Sequence, residues 1–92
     1  MRILGNLDRL GMKITVFSNE NRISLKFERE GMEQTYKFRD DEHLRSFEQA
    51  GQLADDGFCK AVLEQFGQMA RTRYFAWQRY LPEQEDEFEE II

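Results

Sequence analysis

The stretch Arg22-Ile23-Ser24-Leu25-Lys26-Phe27-Glu28-Arg29 alternates apolar and polar residues without a break. That period of two marks a strand with one dry face and one wet face, and it limits the fold more than any other feature of the chain. Glu30-Gly31 follows it, and a glycine at the second loop position permits the positive φ of a two-residue hairpin. Such a loop sets Arg29 opposite Met32, Phe27 opposite Gln34, Leu25 opposite Tyr36 and Ile23 opposite Phe38. On the other side, an Asn19-Glu20 loop sets Val16 opposite Ile23, Ile14 opposite Leu25 and Met12 opposite Phe27. Both hairpins send their apolar residues to one face: Met12, Ile14, Val16, Ile23, Leu25, Phe27, Tyr36 and Phe38. A slip of one residue in either would scatter that set.

The wet face then carries Lys13, Thr15, Phe17, Arg22, Ser24, Lys26, Glu28, Glu33, Thr35, Lys37 and Arg39. Five basic residues stand there against two acidic ones. Left uncovered, this face is an electropositive plate with Phe17 in it, suited to tracking a phosphate backbone or an acidic protein surface. The plainer reading is a solvated outer face whose lysines blunt the sheet edges.

A meander of this size cannot stand alone, and the rest of the chain supplies helices to cover it. Residues 1–11 carry Ile3, Leu4, Leu7 and Leu10, a helix-like spacing interrupted by Gly5 and ended by Gly11, which predicts a short amphipathic helical turn rather than a fourth strand, with Ile3-Leu4 lengthening a sheet edge as the alternative. After Arg39, the acids Asp40, Asp41 and Glu42 suit a helix N-terminus, and the stripe Leu44, Phe47, Ala50 or Gly51, and Ala54 predicts a helix over 41–54. Asp55-Asp56-Gly57 is a break and a new cap. A longer helix follows to Leu81, stopped by Pro82. Its stripe is Phe58, Val62, Leu63, Phe66, Met69, Ala70, Tyr74, Trp77 and Leu81, wide enough to lie across a sheet. Gly67 within it suggests a close backbone approach. Phe75 and Tyr80 fall off the stripe; Lys60, Arg71, Arg73 and Arg79 make a second basic group, of which the three arginines flank those two aromatics.

The expected fold is therefore α+β, a three-stranded antiparallel meander packed against two C-terminal helices. Residues 1–82 form one domain, and residues 83–92 an acidic tail. The net charge of −5 hides that division. All 13 Lys and Arg lie in residues 1–82, with 12 of the 18 acids, whereas the last ten residues hold six acids and no base. A neutral body with an acidic end disfavours mimicry of DNA by carboxylates spread over the whole surface.

Chemistry-bearing residues are sparse. One histidine, His43, cannot build a triad or a multi-histidine metal site. Cys59 lies near a helix start beside two aspartates, which oppose thiolate formation, and reads as a buried small hydrophobe. A single cysteine allows no internal disulfide, and no apolar run approaches membrane-spanning length. The expectation is a cytoplasmic, non-enzymatic protein without metal or cofactor.

The passage Tyr36-Lys37-Phe38-Arg39-Asp40 into Asp41-Glu42-His43-Leu44-Arg45-Ser46-Phe47, then a glycine-containing break and a second helix, resembles the small phage anti-CRISPR inhibitors. The likeness covers residues 12–81 as an order of elements and about twelve residues as a local pattern. It implies a non-enzymatic protein that blocks a CRISPR surveillance complex in the host cytoplasm by occupying protein or nucleic-acid surfaces. No functional residues carry over, because that group shares no functional motif. The partner-binding residues expected from the charge pattern are Lys13, Phe17, Arg22, Lys26, Lys37, Arg39, Arg71, Arg73 and Arg79, toward a host protein or ribonucleoprotein. The alternatives are a nucleic-acid-binding regulator using the sheet face, and a homodimer joined through Phe75, Tyr80 and a sheet edge.

Overall fold

A computed structural model describes residues 1–82. The proposed acidic tail, 83–92, lies outside the described residues. The chain is α+β, an antiparallel sheet followed by two helices, but the sheet has four strands rather than three. These are β1 (Arg2–Arg9), β2 (Met12–Asn19), β3 (Arg22–Arg29) and β4 (Met32–Arg39), paired in chain order. Each strand has eight residues and each connection two, so the strands start every ten residues.

Turn chemistry sets this spacing. Leu10 and Gly11 have φ of 50° and 77°, and Glu30 and Gly31 have 51° and 78°, the left-handed pair that a tight hairpin turn requires. The pairing of β3 with β4 is the expected one throughout, from Arg29 opposite Met32 to Ile23 opposite Phe38. In the β2–β3 hairpin the loop is Glu20-Asn21, not Asn19-Glu20, with Glu20 at φ 57°. Ile14 therefore faces Phe27, and Val16 faces Leu25. This differs from expectation by two residues, and a shift of two leaves every side chain on its face. Met12, Ile14, Val16, Ile23, Leu25 and Phe27 are all buried.

Residues 1–11 are a strand, not a helical turn, and the reason is a bulge. Between Ile3, opposite Phe17, and Gly5, opposite Val16, the register slips. The extra residue lets Leu4 and Leu7 both pack on the core, though three positions apart they would face opposite ways in a regular strand. Their spacing imitated a helix. Ile3 is turned to the outer face and is exposed.

Two helices cover the inner face: α1 (Phe47–Leu53) and α2 (Asp56–Tyr80). The expected start of α1 at 41 is wrong. Asp41 instead closes a local turn, accepting from the His43 N–H at 2.7 Å, and Asp40 pairs with Arg45 at 3.0 Å. Ser46 is the N-cap, in a capping box with Gln49. At the far end of α1, Arg9 reaches inward from β1 and donates to the carbonyls of Gly51 (2.6 Å) and Ala54 (2.5 Å). A cation there satisfies groups that a helix end leaves open. Asp55 caps α2, accepting from the Phe58 N–H at 2.9 Å.

The second helix follows β4 from one end of the sheet to the other. Phe58 packs against Phe27, Tyr36 and Phe38, and Gln34 donates to the Val62 carbonyl at 3.0 Å. Further on, Arg73 approaches the β3–β4 turn at Gly31. Cys59, Val62 and Phe66 are buried, with Leu63, Met69 and Ala70 packed around them. From Arg71 to Tyr80 every residue is exposed. Tyr74 and Trp77 thus do not join the core as expected, because the sheet ends before they are reached.

The glycines separate two situations. A Cβ on Gly5 would sit 2.9 Å from the Phe47 ring, whereas one on Gly67 meets nothing within 4 Å, contrary to the expected close approach. In urea denaturation, Gly5→Ala should therefore cost about 1–3 kcal/mol by pushing α1 away. Gly67→Ala should gain about 0.5–1 kcal/mol. A loss of stability at Gly67, or none at Gly5, would contradict this packing.

Candidate binding surfaces

The outer sheet face holds Lys13, Phe17, Arg22, Lys26, Lys37 and Arg39, as alternation requires. The fourth strand changes its charge, however. β1 adds Asp8 opposite Lys13, and Lys13 stands opposite Glu28, which stands opposite Glu33. One row across the sheet is thus Asp8, Lys13, Glu28, Glu33, and it is acidic. Lys26 leans toward it, 3.5 Å from Glu33.

The positive charge collects at the other end. There Arg22 faces Arg39, and Lys37 lies opposite Ser24 on the next row. The plate is a basic corner with an acidic opposite edge rather than a uniform field. Phe17 is half-buried beside Ile3, and the Lys26 ammonium sits 5.8 Å from the centre of its ring. That cation occupies the face on which a nucleobase would stack.

Arg71, Arg73 and Arg79 lie on the exposed second half of α2. The structure does not join them to the plate. The helices cover the opposite face of the sheet, and Arg73 lies near the β3–β4 turn, at the far end from Arg22 and Arg39.

This half of α2 is the more unusual surface. Tyr74, Phe75 and Trp77 are 56–59% exposed and Tyr80 is 77% exposed. They pair among themselves: Tyr74 meets Phe75 edge-on at 5.4 Å, and Trp77 tilts against Tyr80 at 5.6 Å. Positions 71, 75 and 79 are four apart, so Arg71, Phe75 and Arg79 form one ridge. Ala70, Tyr74, Trp77 and Leu81 form another, which continues the line of Cys59, Val62 and Phe66. Ala70, Arg73, Tyr74 and Trp77 line a shallow groove. Sequence periodicity identified the second ridge as apolar, but it carries no information on where the sheet beneath it stops.

Among the described residues there is no group of three metal-ligating side chains, and no helix is long and apolar enough to cross a membrane. Cys59 is buried, its Sγ 3.6 Å from the Ala54 carbonyl. Burial pushes its thiol above the usual 9.0, with Arg9 pulling it down and Asp56 and Asp55 pushing it up. No protein-family model, curated protein or solved structure matches the chain.

The raised thiol has a consequence for stability. A proton held more tightly in the folded state contributes fully below the unfolded thiol pKa and is lost as pH climbs past it. Wild-type protein should therefore lose stability relative to Cys59→Ala as pH rises above 9.0, by at most about 1.4 kcal/mol per pH unit. Urea unfolding of both proteins at each pH measures the gap; a gap independent of pH would contradict the burial of this thiol.

Proposed function

We propose that this chain is a non-enzymatic binding protein, a stoichiometric inhibitor of the phage type that occupies a protein or nucleic-acid surface of a host nucleoprotein complex. The observation that carries the binding reading is the exposed run Arg71–Tyr80, in which four large aromatics and three arginines stand clear of the core. Exposed aromatics beside arginines are the residue types that dominate binding energy at protein interfaces. The ridge Arg71–Phe75–Arg79 suits a partner that offers carboxylates or phosphates around an apolar spot. The narrower part, inhibition of a CRISPR surveillance complex in the host cytoplasm, rests on the order of elements and the passage from Tyr36 to Phe47.

A second reading, a nucleic-acid-binding regulator, draws on the basic corner of Arg22, Lys37 and Arg39. Against it stand the Lys26 cation over Phe17 and the acidic row from Asp8 to Glu33.

Titrating the protein into a reconstituted surveillance complex, with target cleavage as readout, tests the first reading. Wild-type protein should inhibit at a one-to-one ratio. The double variant Arg71→Glu, Arg79→Glu should bind at least about 30-fold more weakly while melting normally. No inhibition by wild type would overturn the inhibitor reading, and equal potency of the double variant would remove the ridge. Binding to free DNA or RNA, falling steeply with salt and abolished by Lys37→Glu, would favour the second reading instead.

A further inference from the structure

We infer that the free edge of β1, from Gly5 to Arg9, takes an added strand from a partner protein: a short extended segment with an apolar side chain turned inward and basic residues beside it. This site is separate from the Arg71–Tyr80 run on which the proposed function rests, and it does not depend on that reading.

The occupant follows from backbone chemistry. β1 is an edge strand, paired on one side only, with β2. Its register runs back from the two-residue turn at Leu10-Gly11, so Arg9 and Leu7 exchange hydrogen bonds with Met12 and Ile14. The N–H and C=O groups of Asn6 and Asp8 alternate with these and point away from the sheet. Both residues are exposed, and among the described residues no backbone partner from outside the sheet reaches them. Groups so arranged are completed by an extended chain. The bulge between Ile3 and Gly5 ends the regular edge, so the added strand is roughly five residues long.

A groove beside that edge takes the inward side chain. It lies between Leu7 on the strand and Phe47, Gly51 and Gln52 on α1. Gly51 and Leu53 are on nearly opposite sides of the helix, and Leu53 packs on the core, so the groove opens toward the free edge. Gly51 has no packing reason to be a glycine. Its backbone is helical, and a Cβ would meet nothing within 4 Å. The missing side chain leaves the groove open. Charge then selects the partner. Glu48 and Asp55 line the groove with Arg9, whose guanidinium is turned to the Gly51 and Ala54 carbonyls. A basic segment complements two acids set against one base. A second copy paired edge to edge would bring the same acids to face each other, and residues 83–92, with six acids and no base, are disfavoured on the same ground.

The test is amide hydrogen exchange of the full chain, followed by NMR, alone and with a set of synthetic peptides of about seven residues that alternate valine or leucine with threonine and end in lysine. At least one of these should bind and slow exchange of the Asn6 and Asp8 amides about 10-fold or more at saturation. The same peptide should lose its binding when its edge-facing amides are N-methylated, or when glutamate replaces lysine. Gly51→Leu, which fills the groove, should weaken binding at least about 10-fold and melt no lower than wild type. No binding by any peptide of the set, binding that leaves the two amides exchanging as before, or binding undiminished by N-methylation or by Gly51→Leu would each overturn the inference. Equal binding of the glutamate peptide would overturn the choice of a basic partner. Protection of the same amides in the chain alone would overturn it too, in favour of a second copy if it grows with concentration and of residues 83–92 if it does not. The double variant Arg71→Glu, Arg79→Glu should bind the peptide as wild type does, so failure here is distinct from failure of the functional reading.

Discussion

A mismatch of lengths governs this molecule. Two-residue turns fix strands of eight residues, and at about 3.4 Å per residue the sheet is roughly 27 Å tall. The second helix has 25 residues and, at 1.5 Å each, is about 37 Å long. Laid along β4, it must overrun the sheet by about two turns. The part above the sheet is held by Phe58, Cys59, Val62 and Phe66, and among the described residues none from Arg71 to Tyr80 joins that core. The proposed function follows from that surplus.

The sheet was largely legible because its information is local. Alternation from Arg22 to Arg29 and the glycine turn at Gly31 determine a face and a register without reference to anything distant. The β2–β3 turn moved by one residue and the pairing by two, with no effect on the core, since only odd shifts of pairing exchange faces. What stayed hidden depended on relations between segments. The bulge at Leu4 makes a strand look helical, because one extra residue brings positions 4 and 7 to the same side. The acids at 40–42 resemble a helix start, yet Asp41 is spent on a turn and Ser46 with Gln49 makes the cap. Tyr74 and Trp77 have the spacing of core residues, and only the height of the sheet shows that they outrun it.

Charge followed the same division. The basic residues of the outer face lie where alternation puts them, but the missed strand brings Asp8 and completes an acidic row with Glu28 and Glu33. An expected electropositive plate thereby becomes a basic corner around Arg22, Lys37 and Arg39. On the inner side, Arg9 shows how a cation is accommodated next to a core: two carbonyls at the end of α1 accept hydrogen bonds from its guanidinium. None of this was visible from composition, since the balance of bases and acids in residues 1–82 is nearly even.

The overrun of α2 can be tested through Trp77, the single tryptophan of the chain. The direct measurement is collisional quenching of its fluorescence by iodide, at a concentration where the protein sediments as one chain. The account predicts quenching of the folded protein close to that of the urea-unfolded chain, strengthened at low salt by the arginines on either side. A folded single chain whose tryptophan is shielded from iodide would contradict it, for the helix would then end against the core and not beyond it.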